Sequence, residues 1–178
     1  MIITGGATGL TGSFSTINYS EINLVQSQAV TSQFSSFGAT FNNFTWDAVD
    51  TFHGQAGSTG ISGASLFGPN GSTSTVSFNA PVSAAVFAIV DQNTSITFNA
   101  RLGGTLVESF SLTVGFNPGV GFVGFQGIVF DAIEIVHPGA MVIDTLQFRV
   151  AGVPDATSTL LLLGAGIACL GLARRKNS

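Results

Sequence analysis

Strict alternation marks the middle of this 178-residue chain. In "SITFNARL", Ser95 to Leu102, the residues Ile96, Phe98, Ala100 and Leu102 fall on one side of an extended chain and Thr97, Asn99 and Arg101 on the other. That period of two is the mark of a half-buried β-strand. Gly103-Gly104 follows, a pair able to take positive φ, and "TLVESFSLTV" resumes the pattern with Leu106, Phe110, Leu112 and Val114 at one parity. A hairpin is predicted. "VSAAVFAIV", Val82 to Val90, is apolar at both parities and reads as a central strand covered on both faces. "TVSFNAP" before it alternates Val76 with Phe78 and ends at Pro81, which cannot donate to a ladder. Further strands are predicted at Asp131–Val136 and Ala140–Val150.

Up to residue 152 the chain shows no long helical period. Gly, Asn, Pro and Ser interrupt it at the roughly ten-residue spacing of a β-sandwich. The prediction for residues 1–152 is an all-β, jelly-roll-like sandwich, with Gly54–Gly63 and Pro69–Ser74 as loops.

Residues 153–178 obey another pattern. "VPDATSTLLLLGAGIACLGLARRKNS" opens on Val153-Pro154-Asp155, where proline enforces an extended segment. An uncharged stretch from Thr159 to Ala173 and the cations Arg174, Arg175 and Lys176 follow. As a helix, predicted at about 157–173 with Thr157 or Ser158 as N-cap, the stretch spans ~22 Å against a hydrocarbon core of ~30 Å. It is a short membrane anchor, and by the positive-inside rule its basic end stays cytoplasmic as a stop. The other reading is a buried C-terminal helix.

The order of proline motif, Leu/Gly/Ala span and terminal basic cluster resembles the PEP-CTERM class of sorting signals, in the variant that begins Val-Pro-Asp. Ala156-Thr157 stands where that variant has Ser-Gly. The resemblance implies export, processing by an exosortase-type membrane protease, anchoring of the precursor in the inner membrane of a bacterium through its helix, and delivery to the cell surface or extracellular matrix. The segments "SEINLVQSQAVTSQFSSFGATF", "APVSAAVFAI", "TFNARLGGTLVESFSL", "FVGFQGIVFDAIEI" and "MVIDTLQF" resemble, more loosely, the jelly-roll passenger domains that precede such signals. The start, "MIITGGATGLTGSF", has no Arg or Lys and no apolar run of about 7–15 residues. An export leader upstream of Met1 is therefore expected.

Charge sharpens the division. Only 8% of residues are charged, against roughly 25% in typical soluble domains, so Ser, Thr, Asn and Gly must carry solubility. Residues 1–152 contain Arg101 and Arg149 against eight acids, net −6; residues 153–178 contain Asp155 against three cations, net +2. An acidic body without a basic stripe excludes nucleic acid as a partner. The only cysteine, Cys169, lies in the apolar run, so no intramolecular disulfide forms.

Candidate chemistry is sparse. His53 and His137 have no partner at metal-ligand spacing and are expected in surface loops. No nucleophile elbow or phosphate-binding glycine loop is present, so no catalytic residue is assigned and the chain reads as a non-enzyme. Asp144 in "VIDTLQFRV" shares parity with Val142, Leu146, Phe148 and Val150, which turns a carboxylate toward the packed face. Two readings stand: a calcium ion, or a hydrogen bond to a loop at the strand end. In the jelly rolls this chain resembles, an early Glu and a late Asp lie near such an ion, which makes Glu21 the partner to test. Trp46, with Asp47 and Asp50 in "FTWDAVD", is either a sugar-stacking platform or a core residue. The function classes are thus a noncatalytic surface or matrix protein and, as the alternative, a carbohydrate-binding module associated with exopolysaccharide.

Overall fold

The computed structural model describes residues 1–6, 8–48, 61–115 and 120–152. Among them are eleven strands: β1 (Ile2–Thr4), β2 (Ser15–Ile17), β3 (Ala29–Val30), β4 (Ala39–Asn42), β5 (Phe44–Asp47), β6 (Ser65–Gly68), β7 (Ser72–Asp91), β8 (Thr94–Leu102), β9 (Thr105–Val114), β10 (Gly121–His137) and β11 (Met141–Val150). All named strand pairings are antiparallel. One 3-10 turn, Ser35–Phe37, precedes β4.

The two long strands organise the rest. The first half of β7 pairs with β4 and with the last part of β10, which carries β8 and then β9. The second half of β7 lies between β11 and the first part of β10, and this group continues through β6 and β5 to β3 on one side and to β1 on the other. Each long strand thus passes from one layer into the other. β7 turns at Asn79, Ala80 and Pro81, all exposed, and β10 turns where its register against β7 breaks between Gln126 and Phe130. The sequence pattern divides this region into two strands at Pro81; the protein keeps one strand and places the proline at its corner, where no ladder donor is needed.

Between the layers lies a phenylalanine-rich core. Phe98 of β8 meets Phe87 of β7 at 6.2 Å, Phe110 of β9 meets Phe125 of β10 at 5.2 Å, and Phe78 meets Phe148 of β11 at 5.3 Å. Edge-on and tilted ring pairs of this kind add about 0.5–1.5 kcal/mol each beyond the area they bury. The opposite face of β7 is covered as well, because Ala84, Val86, Ala88 and Val90 join Leu10, Ile61, Phe122 and Val142 in a second cluster. The expectation of a strand apolar on both faces is met there.

Two bulges reset the alternation. In the β8–β9 hairpin Gly103 and Gly104 both have positive φ, 56° and 81°, as a two-residue turn of the type I′ class requires. Ala100 then pairs with Glu108 but Arg101 with Leu106, so Val107 is an extra residue. Phe110, Leu112 and Val114 face the core as predicted, whereas Leu106 is 52% exposed. In β11, Asp144 pairs with Ala88 and Gln147 with Val86, three steps against two, with Thr145 at φ 49°. Val142 therefore faces the second cluster while Leu146 and Phe148 face the main core, which corrects the single parity read from the sequence. No helix among the described residues is long and apolar enough to cross a membrane. The predicted helix at 157–173 lies outside those residues.

Where β10 enters the second layer, Gly124 has φ 154° and a Cβ there would stand 2.1 Å from the Ala85 carbonyl oxygen. Gly127, at φ 74°, has open space around it. Gly124→Ala is expected to cost more than about 2 kcal/mol in denaturant unfolding, and Gly127→Ala only about 1 kcal/mol of backbone strain. Equal losses would refute the close approach of β10 to β7.

Candidate functional site

Asp144 is fully buried beside its bulge. Its Oδ2 accepts the Ser62 N–H at 2.7 Å and its Oδ1 accepts the Thr145 N–H. Glu21 is exposed and its Oε1 accepts the Asn18 N–H at 2.7 Å. Both carboxylates act on Tyr19, a fully buried residue at φ 60° whose ring packs edge-on against Phe34 and Phe41. Burial holds the Tyr19 phenol in its protonated form, well above the ordinary tyrosine range, and the negative charges of Asp144 and then Glu21 push in the same direction. The phenol oxygen has no hydrogen-bond partner among the described residues.

As a calcium site this set is incomplete. Two carboxylates and a phenol stand against the roughly six to eight oxygens that calcium takes, and no group of three His, Cys, Asp or Glu residues gathers among the described residues. Both carboxylates already accept backbone N–H groups, which is the hydrogen-bond alternative to a cation.

Trp46 belongs to the core. It is 9% exposed, its indole N–H donates to the Tyr19 carbonyl oxygen at 2.9 Å, and it packs among the inter-layer residues. A stacking platform needs an open ring face, so the structure corrects that part of the expectation. The neighbouring Asp47 is buried and accepts a hydrogen bond from Gln26 Nε2 at 2.9 Å, while Gln26 Oε1 accepts the Ala48 N–H. Gln26, Ser27, Thr45, Trp46, Asp47 and Phe67 wall a pocket of about 300 Å³. Asp50 lies outside the described residues, as do His53, Val153, Pro154, Asp155, Arg174, Arg175 and Lys176.

His137 also departs from its surface-loop expectation, being 1% exposed at the end of β10. Its Nδ1 donates to the Gly139 carbonyl at 2.7 Å, since a carbonyl only accepts. Its Nε2 lies 3.2 Å from Ser72 Oγ and 3.0 Å from Ser74 Oγ, and those hydroxyls reach the carbonyls of Pro69 and Asn43. One ring thereby ties the β10–β11 turn, the start of β7 and the β4–β5 turn together, beside a cleft of about 400 Å³. The signal was in the sequence: His137 has the parity of Ile133 and Ile135, both buried.

Residues 152–176 match the VPDSG-CTERM motif, a sorting signal of the PEP-CTERM kind, as the sequence predicted. The described body ahead of it is an all-β, sandwich-like passenger. A search of curated proteins finds no match. Among solved structures, the chain is similar to the CsCBM6-3 module from Clostridium stercorarium in complex with cellobiose, at 16% identity over 78% of this chain and 95% of that one, with a TM-score of 0.40. It is also similar to the catalytic domain of a GH87 alpha-1,3-glucanase in complex with nigerose, at 15% identity over 84% of this chain and 30% of that one, TM-score 0.40. A third is the K1 cleaved adhesin domain of Lys-gingipain from Porphyromonas gingivalis, at 10% identity over 85% and 99%, TM-score 0.35. Likeness this distant assigns no ligand to this chain.

Replacing Asp144 by Asn turns an amide N–H₂ toward donors that need an acceptor, and is expected to cost about 1–3 kcal/mol in thermal or denaturant unfolding. If Glu21 and Asp144 hold calcium, the ion raises the melting temperature of the wild type and not of Asp144→Asn. Identical calcium responses would leave Asp144 as a backbone acceptor alone.

Proposed function

We propose that this chain is an exported, noncatalytic cell-surface or matrix protein whose C-terminal signal is handled by an exosortase-type membrane protease. The match of residues 152–176 to the VPDSG-CTERM motif carries this reading. The precursor is held in the inner membrane by the span about Thr157–Ala173, with Arg174, Arg175 and Lys176 as the cytoplasmic stop. Val153-Pro154-Asp155 offers the protease extended chain just outside the bilayer. Support for a noncatalytic body comes from its buried polar side chains. Asp91, Asp144 and His137 each bond backbone atoms of turns, so they maintain the scaffold. Protein recovered from the envelope or medium is expected to have an intact mass lacking the Leu/Gly/Ala span. Replacing the three terminal cations by Gln is expected to reduce membrane retention of the precursor. Mature protein ending at Ser178, with equal retention of both forms, would overturn the proposal.

A second reading, a carbohydrate-binding module that holds exopolysaccharide, rests on the pocket of about 300 Å³ that Gln26, Asp47 and Trp46 help to wall. Binding on a glycan array that is lost in Gln26→Ala, at unchanged melting temperature, would favour it; an array without binding would remove it.

A further inference from the structure

Ten large apolar side chains are exposed among the described residues, and seven of them stand at one end of the sandwich, where β7 and β10 turn their corners. Val129 lies in the stretch of β10 where the register against β7 breaks. The tip of the β8–β9 hairpin, with Leu102, Leu106 and Val107, leans against that stretch, because Arg101 pairs with Ala132 and the Gly103 N–H donates to Asp131 Oδ2 at 2.8 Å. Phe37 precedes Gly38, whose carbonyl accepts the Asn79 N–H at the β7 corner. Phe14 precedes Ser15, the partner of Phe148, and Val150 closes β11 opposite Val82. Apolar side chains gathered in one place on a surface mark a partner that covers them. The cations at this end are already engaged: Arg149 donates to the Thr11 and Ser13 carbonyls, and Arg101 pairs with Glu134 at 2.9 Å.

The chain leaves the body from the same end. The Ala151 N–H donates to the Pro81 carbonyl at 2.8 Å, so the last described residues, up to Gly152, run beside the β7 corner. Only residues 153–156 separate Gly152 from the apolar span predicted from about residue 157, and four extended residues reach at most about 14 Å. Against a bilayer about 40–45 Å thick with its headgroups, a tether so short keeps this end of the body at the headgroup layer. We propose, resting on the anchoring reading above, that the corner end is a membrane-contact face. While the precursor is anchored, Phe14, Phe37, Leu106, Val107, Val129 and Val150 rest in the interfacial layer of the noncytoplasmic leaflet. The partner is a lipid surface met by apolar contact and not by charge, since residues 1–152 hold eight acids against two cations, net −6, and gain nothing from anionic headgroups. The contact fixes the body's orientation, with the His137 end turned away from the bilayer.

The test uses the full chain with Cys169→Ala, reconstituted in phosphatidylcholine vesicles that contain nitroxide-labelled lipid, with a fluorophore on a single introduced cysteine. Leu106→Cys lies at the corner end and Val136→Cys beside Thr73 and Thr97 at the other. They replace side chains 52% and 41% exposed, so both variants are expected to keep the wild-type melting temperature. Quenching by the lipid nitroxides is expected to be at least about fivefold stronger at position 106 than at position 136. A tether without contact would also bring the corner end close, so a second arm moves the fluorophore to Val129→Cys and adds Leu106→Glu and Val107→Glu. Quenching at position 129 is then expected to fall at least about twofold at unchanged melting temperature, because two carboxylates resist entry into the interface. In protein that floats with the vesicles, equal quenching at 106 and 136, or unchanged quenching at 129 in the glutamate variant, would overturn the contact face and leave the anchor standing. Protein that fails to float would overturn the anchor and the contact face together.

Discussion

A β-ladder cannot turn a corner without losing hydrogen bonds, and the body of this protein depends on two strands that turn one together. β7 and β10 pair with each other on both sides of their corners, at Asn79–Pro81 and at Gln126–Phe130. The groups released there find other partners: the Asn79 N–H donates to the Gly38 carbonyl, and the Pro81 carbonyl accepts the Ala151 N–H. β1, β4, β8 and β11 pair directly with one of these two, β2, β6 and β9 pair with a neighbour of one, and β5 and β3 extend the sheet outward from β6. Because the layers share continuous strands, the core between them cannot open without breaking the backbone ladders that join them. This is how a body with no intramolecular disulfide keeps its two layers together.

Composition follows from the same arrangement. With 8% charged residues, the chain has few groups to pair inside the protein, and those buried are held by backbone groups and by Gln, Ser and Thr side chains. Asp91 accepts from the Gln92 N–H and from Thr94 Oγ1, Asp144 from Ser62 and Thr145, and His137 is held by Gly139 and two serines. These contacts sit at turns and bulges, where backbone donors lack ladder partners, so the buried polar groups stabilise the irregular points of the fold. The outer face of β8 and β9 instead uses Ser, Thr and Asn in cross-strand pairs. Such a surface stays hydrated without attracting polyanions, which suits the surface protein proposed above.

How much of this was legible depends on the range of the information. Period-two alternation is local, and it located β8, β9, the Gly103-Gly104 turn and the two-sided strand in β7. The tail is equally local: a proline motif, an uncharged span and three cations in order define a sorting signal whatever the body folds into. Bulges are not local. Val107 and Thr145 are ordinary residues in sequence, and only their strand partners make them extra, which is why Leu106 leaves the core face and why Asp144 and Leu146 part company.

The placement of Trp46, His137 and Gln147 was likewise decided by contacts far apart along the chain. The Trp46 indole is drawn inward by the Tyr19 carbonyl 27 residues earlier, and the Gln147 amide accepts the Leu10 N–H across 137 residues. A single sequence determines which residues prefer an extended, half-buried backbone and which segment is apolar enough to enter a membrane, because those preferences belong to neighbouring side chains. Which strand lies beside which, where a register slips, and which polar atom closes a broken ladder are decided only when the layers pack, since each depends on a partner that the local chain does not contain.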